Sequence, residues 1–284
     1  MATLYLVSTP IGNLGDITHR AVEVLGSVRR VLAEDTRHSR VLMQRYELST
    51  PLFSLHEHNE ASRVQTVLDW LDEGEDLALI SDAGTPLVSD PGARLVAEVS
   101  ARGHRIVPVP GPSAVLAALT ASGLVPEPFT FFGFVERTGA ERKRRMREIA
   151  ESPWTVVLFE APGRLLRLLA DLAEVCGPER QASVSRELTK VHEETVRGTL
   201  AELAAYYGDG DVRGEIALVV AGRGTEAEEA SDADAAARAL AAALLARGER
   251  PSAVAKELVG RISLSRNRAY ELVQELAQAG EEAQ

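Results

Sequence analysis

The stretch LALISDAGTPLVSDPG, residues 77–92, decides the fold of the first part of the chain. Its opening run, residues 77–81, is almost wholly apolar, which predicts a strand buried on both faces and followed by a tight loop of small residues. Further strands are predicted at 4–8, 28–33 and 105–109, and helices at 17–27, 39–46, 61–73 and 93–102. This alternation is typical of a parallel sheet covered by helices on both faces, so the fold class is α/β.

A second group of predicted strands and helices fills the middle of the chain. The strands are expected at 129–135, 154–160, 182–188, 194–198 and 216–221, and the helices at 113–122, 140–151 and 165–175. The runs 184–188 and 195–197 suit an antiparallel pair, so this second sheet is expected to be mixed. We place a boundary near residue 118, which predicts α/β domains at 1–118 and 119–224.

A polar, acidic segment at 222–231 suits a linker. Helical runs follow at 233–247, 252–259 and 265–279, with Ser252 and Ser265 as expected N-caps, so residues 232–284 are predicted to form a small helical region. Its last two helices, joined by a tight turn, resemble a helix-turn-helix. An all-helical tail packed on the body of the protein is the alternative.

Composition limits the classes of protein to consider. The chain has 284 residues, of which 45% are apolar and 26% charged, and its net charge is −11. Because no apolar run approaches the roughly 20 residues of a transmembrane helix, and the single cysteine cannot form an internal disulfide, we expect a cytoplasmic protein without a membrane span. A protein this acidic would bind nucleic acid through a local basic patch.

Three loops of small residues follow predicted strands, at 8–13, 81–86 and 110–114. Ligands bind at the carboxyl ends of the strands of an open parallel sheet, where such loops meet. Glycine and alanine let the backbone approach a flat ligand, and Asp82 could bond a ribose or an amino group. Ordinary turns are the alternative reading. The phosphate-binding glycine motifs, the HExxH zinc motif and C-x-x-C are absent from the sequence.

Charged residues in two further loops are candidates for chemistry. Glu34, Asp35 and Arg37 end another predicted strand, and the acids could accept a proton, or Asp35 or Thr36 could cap the next helix. His56 and His58 lie in a polar loop that we expect to face a substrate. Metal binding there is the weaker alternative, because no third ligand is evident, and we expect no metal.

One segment is strongly basic. Residues 137–147, RTGAERKRRMR, hold six basic side chains and one acidic side chain. A solvated helix face is the usual meaning of such a run. In an acidic protein, a patch that binds phosphate groups is at least as well supported.

An ordered series of motifs resembles the tetrapyrrole methylase superfamily, the class III methyltransferases. The series reads YLVSTPIGNLGDIT, AEDTR, LHEHNE, ISDAGTPLVSDPG, VPGPSA, FEAPGR and RELTK. A single piece such as PGPSA is a weak signal, but the order of the whole series is specific, and the resemblance covers roughly residues 3–222. Members that modify tetrapyrroles usually carry Gly-Asp-Pro where this chain has SDAGTP at 81–86. That departure favours the branch that acts on ribosomal RNA.

The resemblance implies two α/β domains with S-adenosylmethionine in the cleft between them, a small C-terminal helical region and a homodimer. It implies 2′-O-methylation of the ribose of a cytidine in the decoding centre of 16S rRNA, within the small ribosomal subunit. Carried onto this sequence, the expected cofactor-binding residues are Pro10, Ile11, Asp82, Gly84, Thr85, Ser113, Ala114, Phe159, Leu188 and Ala217. The residues expected to contact RNA are Arg37, His56, His58, Arg142, Lys143, Arg144 and Arg145.

Methyl transfer to a ribose would be helped by a general base, because a ribose hydroxyl is barely acidic. The candidates are Glu34, Asp35, Glu187 and, if burial depresses its pKa, Lys190. The spacing of charged residues in the RELTK segment predicts side chains that face the cleft. It is equally typical of a structural network of ion pairs. Two other functions stay open: a methylase of tetrapyrrole (corrinoid) precursors, and a ribosome-binding module of the same fold without catalysis. The basic run and the helical tail, which a porphyrinoid does not require, argue against the first.

Overall fold

The computed structural model describes residues 2–208, 212–224, 226–247, 249–262 and 266–282. The chain divides into two compact units, Met1–Gly222 and Arg223–Gln284. The first contains two five-stranded sheets, and the second is helical. Within the described ranges, no helix is both long and apolar enough to cross a membrane.

The first sheet is parallel throughout, as predicted. It comprises β1 (Thr3–Val7), β2 (Arg30–Ala33), β3 (Leu52–Ser54), β4 (Leu77–Ile80) and β5 (Arg105–Val109), accompanied by α1 (His19–Ser27), α2 (Thr36–Arg45), α3 (Glu60–Asp72) and α4 (Ala93–Ala101). The strand order is β3-β2-β4-β1-β5. Alternate strand residues face opposite layers, so Leu4 and Leu79 pack with α3 and α4, while Val7 and Ile80 pack with α1 and α2.

The second sheet is mixed, as predicted. Its strands are β6 (Phe129–Phe134), β7 (Thr155–Glu160), β8 (Gln181–Arg186), β9 (Glu194–Thr199) and β10 (Ile216–Val220), and its helices are α5 (Ala114–Ser122), α6 (Gly139–Glu151), α7 (Leu165–Cys176) and α8 (Leu200–Gly208). The order is β6-β7-β10-β8-β9, in which only β6 and β7 run parallel. Val115 and Leu119 of α5 pack against Val157 and Val219. The helix α5, which begins at Ala114, therefore packs with the second sheet although it starts before residue 118. The domain limits 1–118 and 119–224 stay a prediction.

Two elements were missing from the sequence prediction. The strand β3 has only three residues, which is too short for its alternation to stand out. The helix α8 had a usable signal, a Thr-x-x-Glu capping box. Thr199 Oγ1 accepts a hydrogen bond from the Glu202 N–H at 3.1 Å, and Glu202 Oε2 accepts one from the Thr199 N–H at 2.8 Å.

The C-terminal unit contains α9 (Glu226–Ala246), α10 (Pro251–Ile262) and α11 (Arg266–Glu282). They share an apolar core that includes Leu244, Leu258 and Leu272. The predicted linker at 222–231 is too long, because α9 begins within it. Ser252 was wrongly predicted as an N-cap, since α10 already begins at Pro251, and the cap predicted at Ser265 lies outside the described residues.

Candidate active site

The carboxyl ends of the parallel strands bring the three predicted loops together. The loops after β1 and β4 form an isolated bridge: the Thr9 N–H donates to the Gly84 oxygen at 2.8 Å, and the Gly84 N–H donates back to the Thr9 oxygen at 3.0 Å. Thr85 Oγ1 donates to the Pro112 oxygen at 3.3 Å, which ties the loop after β5 to the same group. The three loops are therefore held in place by the protein's own hydrogen bonds.

A cavity of about 420 Å³ lies beside these loops, which we call the main cavity. Such a volume is typical of small-molecule sites. Eight of the ten predicted cofactor residues line it: Ile11, Gly84, Thr85, Ser113, Ala114, Phe159, Leu188 and Ala217. The first five come from the loops after β1, β4 and β5 and from the start of α5, and the last three from β7, the turn after β8 and β10, so both sheets contribute walls.

The wall from the second sheet is mostly apolar. The Phe159 ring meets Phe131 edge-on, with 4.9 Å between ring centroids, and its centroid lies 5.7 Å from that of Phe134. Glu160 also lines the cavity but is only 3% exposed, and Arg164 pairs with it at 2.7 Å between Nε and Oε1. The charge of Glu160 is thus paired with that of Arg164. This wall therefore offers the cavity mainly the flat aromatic face of Phe159.

A second cavity of about 330 Å³ adjoins the main one, and we call it the side cavity. The two share Ile11, Ala83 and Glu215 in their walls. Pro10 and Asp82, which the sequence placed with the cofactor residues, line the side cavity and not the main one. The loops after β1 and β4 thus contribute residues to both cavities.

The Asp35 carboxylate is bonded by both the backbone and the side chain of Arg37. Its side chain caps α2 by accepting a hydrogen bond from the Arg37 N–H at 2.8 Å, and it also pairs with the Arg37 guanidinium. These bonds lower the pKa of Asp35 to about 2. The alternative that Asp35 caps a helix is confirmed, and such an acidic carboxyl is a weak base. The Arg37 side chain is 87% exposed, beyond either cavity.

Glu34 is one of two carboxyl groups in these loops whose pKa is raised above its ordinary value. Partial burial raises the pKa of Glu34, and the negative charges of Asp82 and Asp90 raise it further. Burial also raises the pKa of Asp90, which lines the main cavity. The Asp35 N–H donates to Asp82 Oδ1 at 3.0 Å and holds that carboxylate near Glu34. Glu34 itself lines neither cavity, and its role as a base stays a prediction.

The RELTK turn forms the ion-pair network that was the alternative to a catalytic role. Lys190 Nζ donates to Glu187 Oε1 at 2.8 Å and to Glu215 Oε2 at 3.2 Å. Burial by itself would lower the pKa of Lys190, but the bonds to the two carboxylates outweigh it and the net shift is upward. The network therefore does not favour the depressed pKa on which a Lys190 base would depend, and that role stays a prediction. The bond from Lys190 lowers the pKa of Glu187, which weakens that carboxylate as a base.

The two histidines lie after β3, at the same edge of the parallel sheet as the cavities but in the walls of neither. Asn59 organises their loop, because Asn59 Oδ1 accepts from the His56 N–H at 2.9 Å. The rings of His56 and His58 meet edge-on, with 6.0 Å between centroids. Across the part of the chain that the structure describes, no group of three or more His, Cys, Asp or Glu could hold a metal ion. Contact of this loop with RNA stays a prediction.

The basic run lies on α6, where its side chains differ sharply in exposure. Arg142 is 8% exposed and donates to Asp171 Oδ2 and to the Glu136 oxygen. Its assignment as an RNA contact is therefore corrected: this side chain anchors α6 to α7. Lys143 is exposed and makes no hydrogen bond or ion pair with any described residue.

The two arginines that follow on α6 are engaged with neighbouring acids. Arg144 pairs with Glu141 and Glu148. Arg145 also pairs with Glu148 and lies 4.7 Å above the Phe132 ring. The local charge is thus smaller than the sequence count indicates, although Arg144 remains half-exposed. Contact of Lys143, Arg144 and Arg145 with RNA stays a prediction.

Several cavity residues were missed by sequence reasoning. They include Val88, Ser89, Asp90, Phe134, Ala161, Pro162 and Glu215. Most lie inside motifs that were already quoted, ISDAGTPLVSDPG and FEAPGR. A further structural signal is the backbone of the first motif, where Leu87 and Ser89 have φ of 76° and 68°. Residues other than glycine rarely adopt a positive φ, and those that do are concentrated at functional sites.

Comparison with known proteins identifies the family. The family model of tetrapyrrole (corrin/porphyrin) methylases matches residues 3–204. The chain therefore belongs to the tetrapyrrole methylase family, as its motifs predicted. Its fold matches that of a cobalamin biosynthetic enzyme, cobalt precorrin-4 methyltransferase, with a TM-score of 0.61 at 20% identity over 77% of this chain and 94% of that one. It also matches uroporphyrin-III C-methyltransferase from Thermus thermophilus complexed with S-adenosyl homocysteine, with a TM-score of 0.57 at 22% identity over 78% and 97%.

Higher identities are found with proteins named ribosomal RNA small subunit methyltransferase I. The relative from Synechocystis is 42% identical over 99% of this chain and 100% of its own length. The relative from Pseudomonas aeruginosa is 46% identical over 82% of this chain and 84% of its own length. Within the family, the chain is thus similar to proteins whose name refers to ribosomal RNA.

Proposed function

We propose that this chain is an S-adenosylmethionine-dependent methyltransferase that modifies the ribose 2′-hydroxyl of a cytidine in the decoding centre of 16S rRNA. The observation that carries the proposal is the identity of 42% over 99% of the chain, and of 46% over 82% of it, with relatives named for small-subunit ribosomal RNA. The two solved tetrapyrrole enzymes named above are 20% and 22% identical to this chain. A tetrapyrrole substrate is accordingly the weaker candidate.

The residues of the main cavity fit S-adenosylmethionine. The apolar wall around Phe159 suits the flat adenine, and the small loop residues Gly84 and Ala114 allow close approach of the backbone. Ser113 caps α5, whose first N–H groups form a positive helix end suited to a carboxylate. Asp90 supplies a negative charge suited to the ligand's cationic groups. When bound, the cofactor would supply a methyl group already activated by its positively charged sulfur.

The protein's own contribution is alignment, exclusion of water and control of a proton. Its rigid loops and apolar wall pre-organise the site, and such positioning accounts for much of the barrier lowering in group transfer. Among the three candidate carboxyl bases, only Glu34 has a raised pKa, chiefly because of burial, which makes it a stronger base than Asp35 or Glu187. Lys190 keeps its proton and places a positive charge in the wall of the side cavity, where it would stabilise negative charge on an attacking oxygen.

The test is transfer of labelled methyl to ribosomal RNA. Purified protein and labelled S-adenosylmethionine are incubated with small subunits from cells that lack this modification. We expect the label in a single 2′-O-methylated cytidine, and absence of label from intact subunits and from naked rRNA would contradict the proposal. Equilibrium dialysis with S-adenosylhomocysteine then separates a non-catalytic ribosome-binding module, which would not bind it, from an enzyme with another substrate.

We also propose that the protein acts in the cytoplasm as a homodimer, as family resemblance implies. The mass of the particle in solution, from light scattering after gel filtration, checks the second point. A mass close to 30.6 kDa, that of one chain, would refute it.

A further inference from the structure

The side cavity contains a buried polar group that the protein leaves without a partner. Ser39 of α2 lines this cavity and is only 3% exposed. Its Oγ makes no hydrogen bond to any described residue. Buried hydroxyl groups are nearly always hydrogen-bonded, and an unsatisfied one destabilises the fold. A ligand in the side cavity would supply the missing partner.

The polar residues around Ser39 suit the base of a nucleoside. The side cavity is also lined by Asp82, His38 and Lys190. A carboxylate can accept a hydrogen bond from the amino group of cytosine, and a serine hydroxyl can donate to its carbonyl oxygen or to its unprotonated ring nitrogen. Asp82 is oriented for this, because the Asp35 N–H holds one of its oxygens at 3.0 Å.

The position and size of the side cavity limit its occupant. It shares the lining residues Ile11, Ala83 and Glu215 with the main cavity, so a ligand in it would lie beside one bound in the main cavity. Its volume of about 330 Å³ lies near the lower end of small-molecule sites. That volume suits one nucleoside better than a four-ring macrocycle.

We propose that the side cavity receives the target pyrimidine nucleoside, turned out of the RNA strand, with its base hydrogen-bonded by Ser39 Oγ and Asp82. This inference rests on the proposed function and adds the residues that select the nucleoside. Enzymes that act on one nucleotide commonly extrude it into a fitted pocket, where its base edge is read by hydrogen bonds. Ser39 is then a specificity residue and takes no part in holding the cofactor.

The experiment uses a pair of matched variants. Ser39→Ala removes the hydroxyl in the side cavity. Ser183→Ala removes a hydroxyl on β8 that is equally buried and unpartnered but lines neither cavity. For each full-length protein, the KM for small subunits is measured by labelled methyl transfer, and the Kd for S-adenosylhomocysteine by calorimetry.

We expect Ser39→Ala to raise the KM for subunits about three- to tenfold, the effect of one lost hydrogen bond, with the Kd for S-adenosylhomocysteine unchanged. Ser183→Ala should change neither quantity. An unchanged KM in Ser39→Ala would overturn the inference, and so would a parallel loss of S-adenosylhomocysteine affinity, which would place the cofactor in the side cavity. If the wild type labels no rRNA, the proposed function itself fails and the inference with it.

A second variant guards against an effect of Ser39→Ala on folding. Val41 lines the side cavity but is 56% exposed, so a larger residue there leaves the core intact. Val41→Phe should occupy part of the side cavity and lower kcat/KM for subunits about tenfold or more, again with unchanged S-adenosylhomocysteine binding. A kcat/KM equal to that of the wild type would contradict the assignment.

Discussion

Replacing Gly12 with alanine tests whether the loop after β1 and the RELTK turn, two walls of the site, must approach each other as closely as the structure shows. A Cβ at Gly12 would lie 2.5 Å from Lys190 Cγ, 2.8 Å from Thr189 Oγ1 and 2.9 Å from the Leu188 oxygen. Ordinary contacts begin at 3.4 Å. The lysine stem can move aside, but the Leu188 oxygen belongs to the backbone, so the loop after β1 and the RELTK turn must separate.

The size of the effect follows from these distances. The contacts must lengthen by about 0.5–0.9 Å to become ordinary. Overpacking of this kind destabilises a protein by about 1–3 kcal/mol, which corresponds to a Tm lower by about 2–12 °C in a chain of this length. Ile11 and Leu188 line the main cavity on the two segments that separate. Methyl transfer should therefore fall about ten- to a hundredfold, since displacement by about 1 Å is costly to alignment.

Calorimetric unfolding and S-adenosylhomocysteine titration measure the two effects. Gly163→Ala is the matched control, because a Cβ at Gly163 would meet no atom within 4 Å. We expect the control to keep the wild-type Tm and the wild-type affinity for S-adenosylhomocysteine. Gly12→Ala should have a lower Tm and bind S-adenosylhomocysteine more weakly. If Gly12→Ala matches the control in both measurements, the close approach of the two walls is not needed and the reasoning fails.

Three further predictions concern single side chains. Glu34→Gln should abolish most methyl transfer yet raise stability at pH 7. A carboxyl whose pKa is raised in the folded state stabilises the fold only at low pH, and that contribution is lost as the pH rises through the folded pKa. A difference in Tm between variant and wild type that does not shrink as the pH is lowered would contradict this. Arg142→Met should lower stability by about 1–3 kcal/mol, because it removes the shorter of the two ion pairs of Asp171 and leaves only Arg167 Nε at 3.9 Å. Lys143→Glu should weaken subunit binding in a salt-dependent way with no change in Tm; similar Tm values for the two variants would refute the distinction. Phe159→Ala should weaken S-adenosylhomocysteine about tenfold or more by removing a buried aromatic contact, and a titration showing unchanged affinity would exclude this wall from the cofactor site.

Much of the fold was predictable because its signals are local. Apolar runs of strand length, separated by amphipathic helical runs, indicated the parallel sheet, and the turn between 186 and 194 indicated the antiparallel pair. The loops that line the main cavity were predictable for the same reason: in a parallel sheet, the carboxyl end of each strand lies at one edge. The helix α8 was missed although Thr199 and Glu202 carried its signal.

The sequence by itself determined the sheet types, the order of the loops and the family. Only the tertiary structure decided what each side chain in those loops and helices does. It buried Arg142 against Asp171, turned Asp82 into the side cavity and surrounded Lys190 with two carboxylates. The physical reason is that strand and helix periodicity depends on neighbours a few residues away. Burial, charge pairing and pKa depend on groups that the fold brings together from distant parts of the chain.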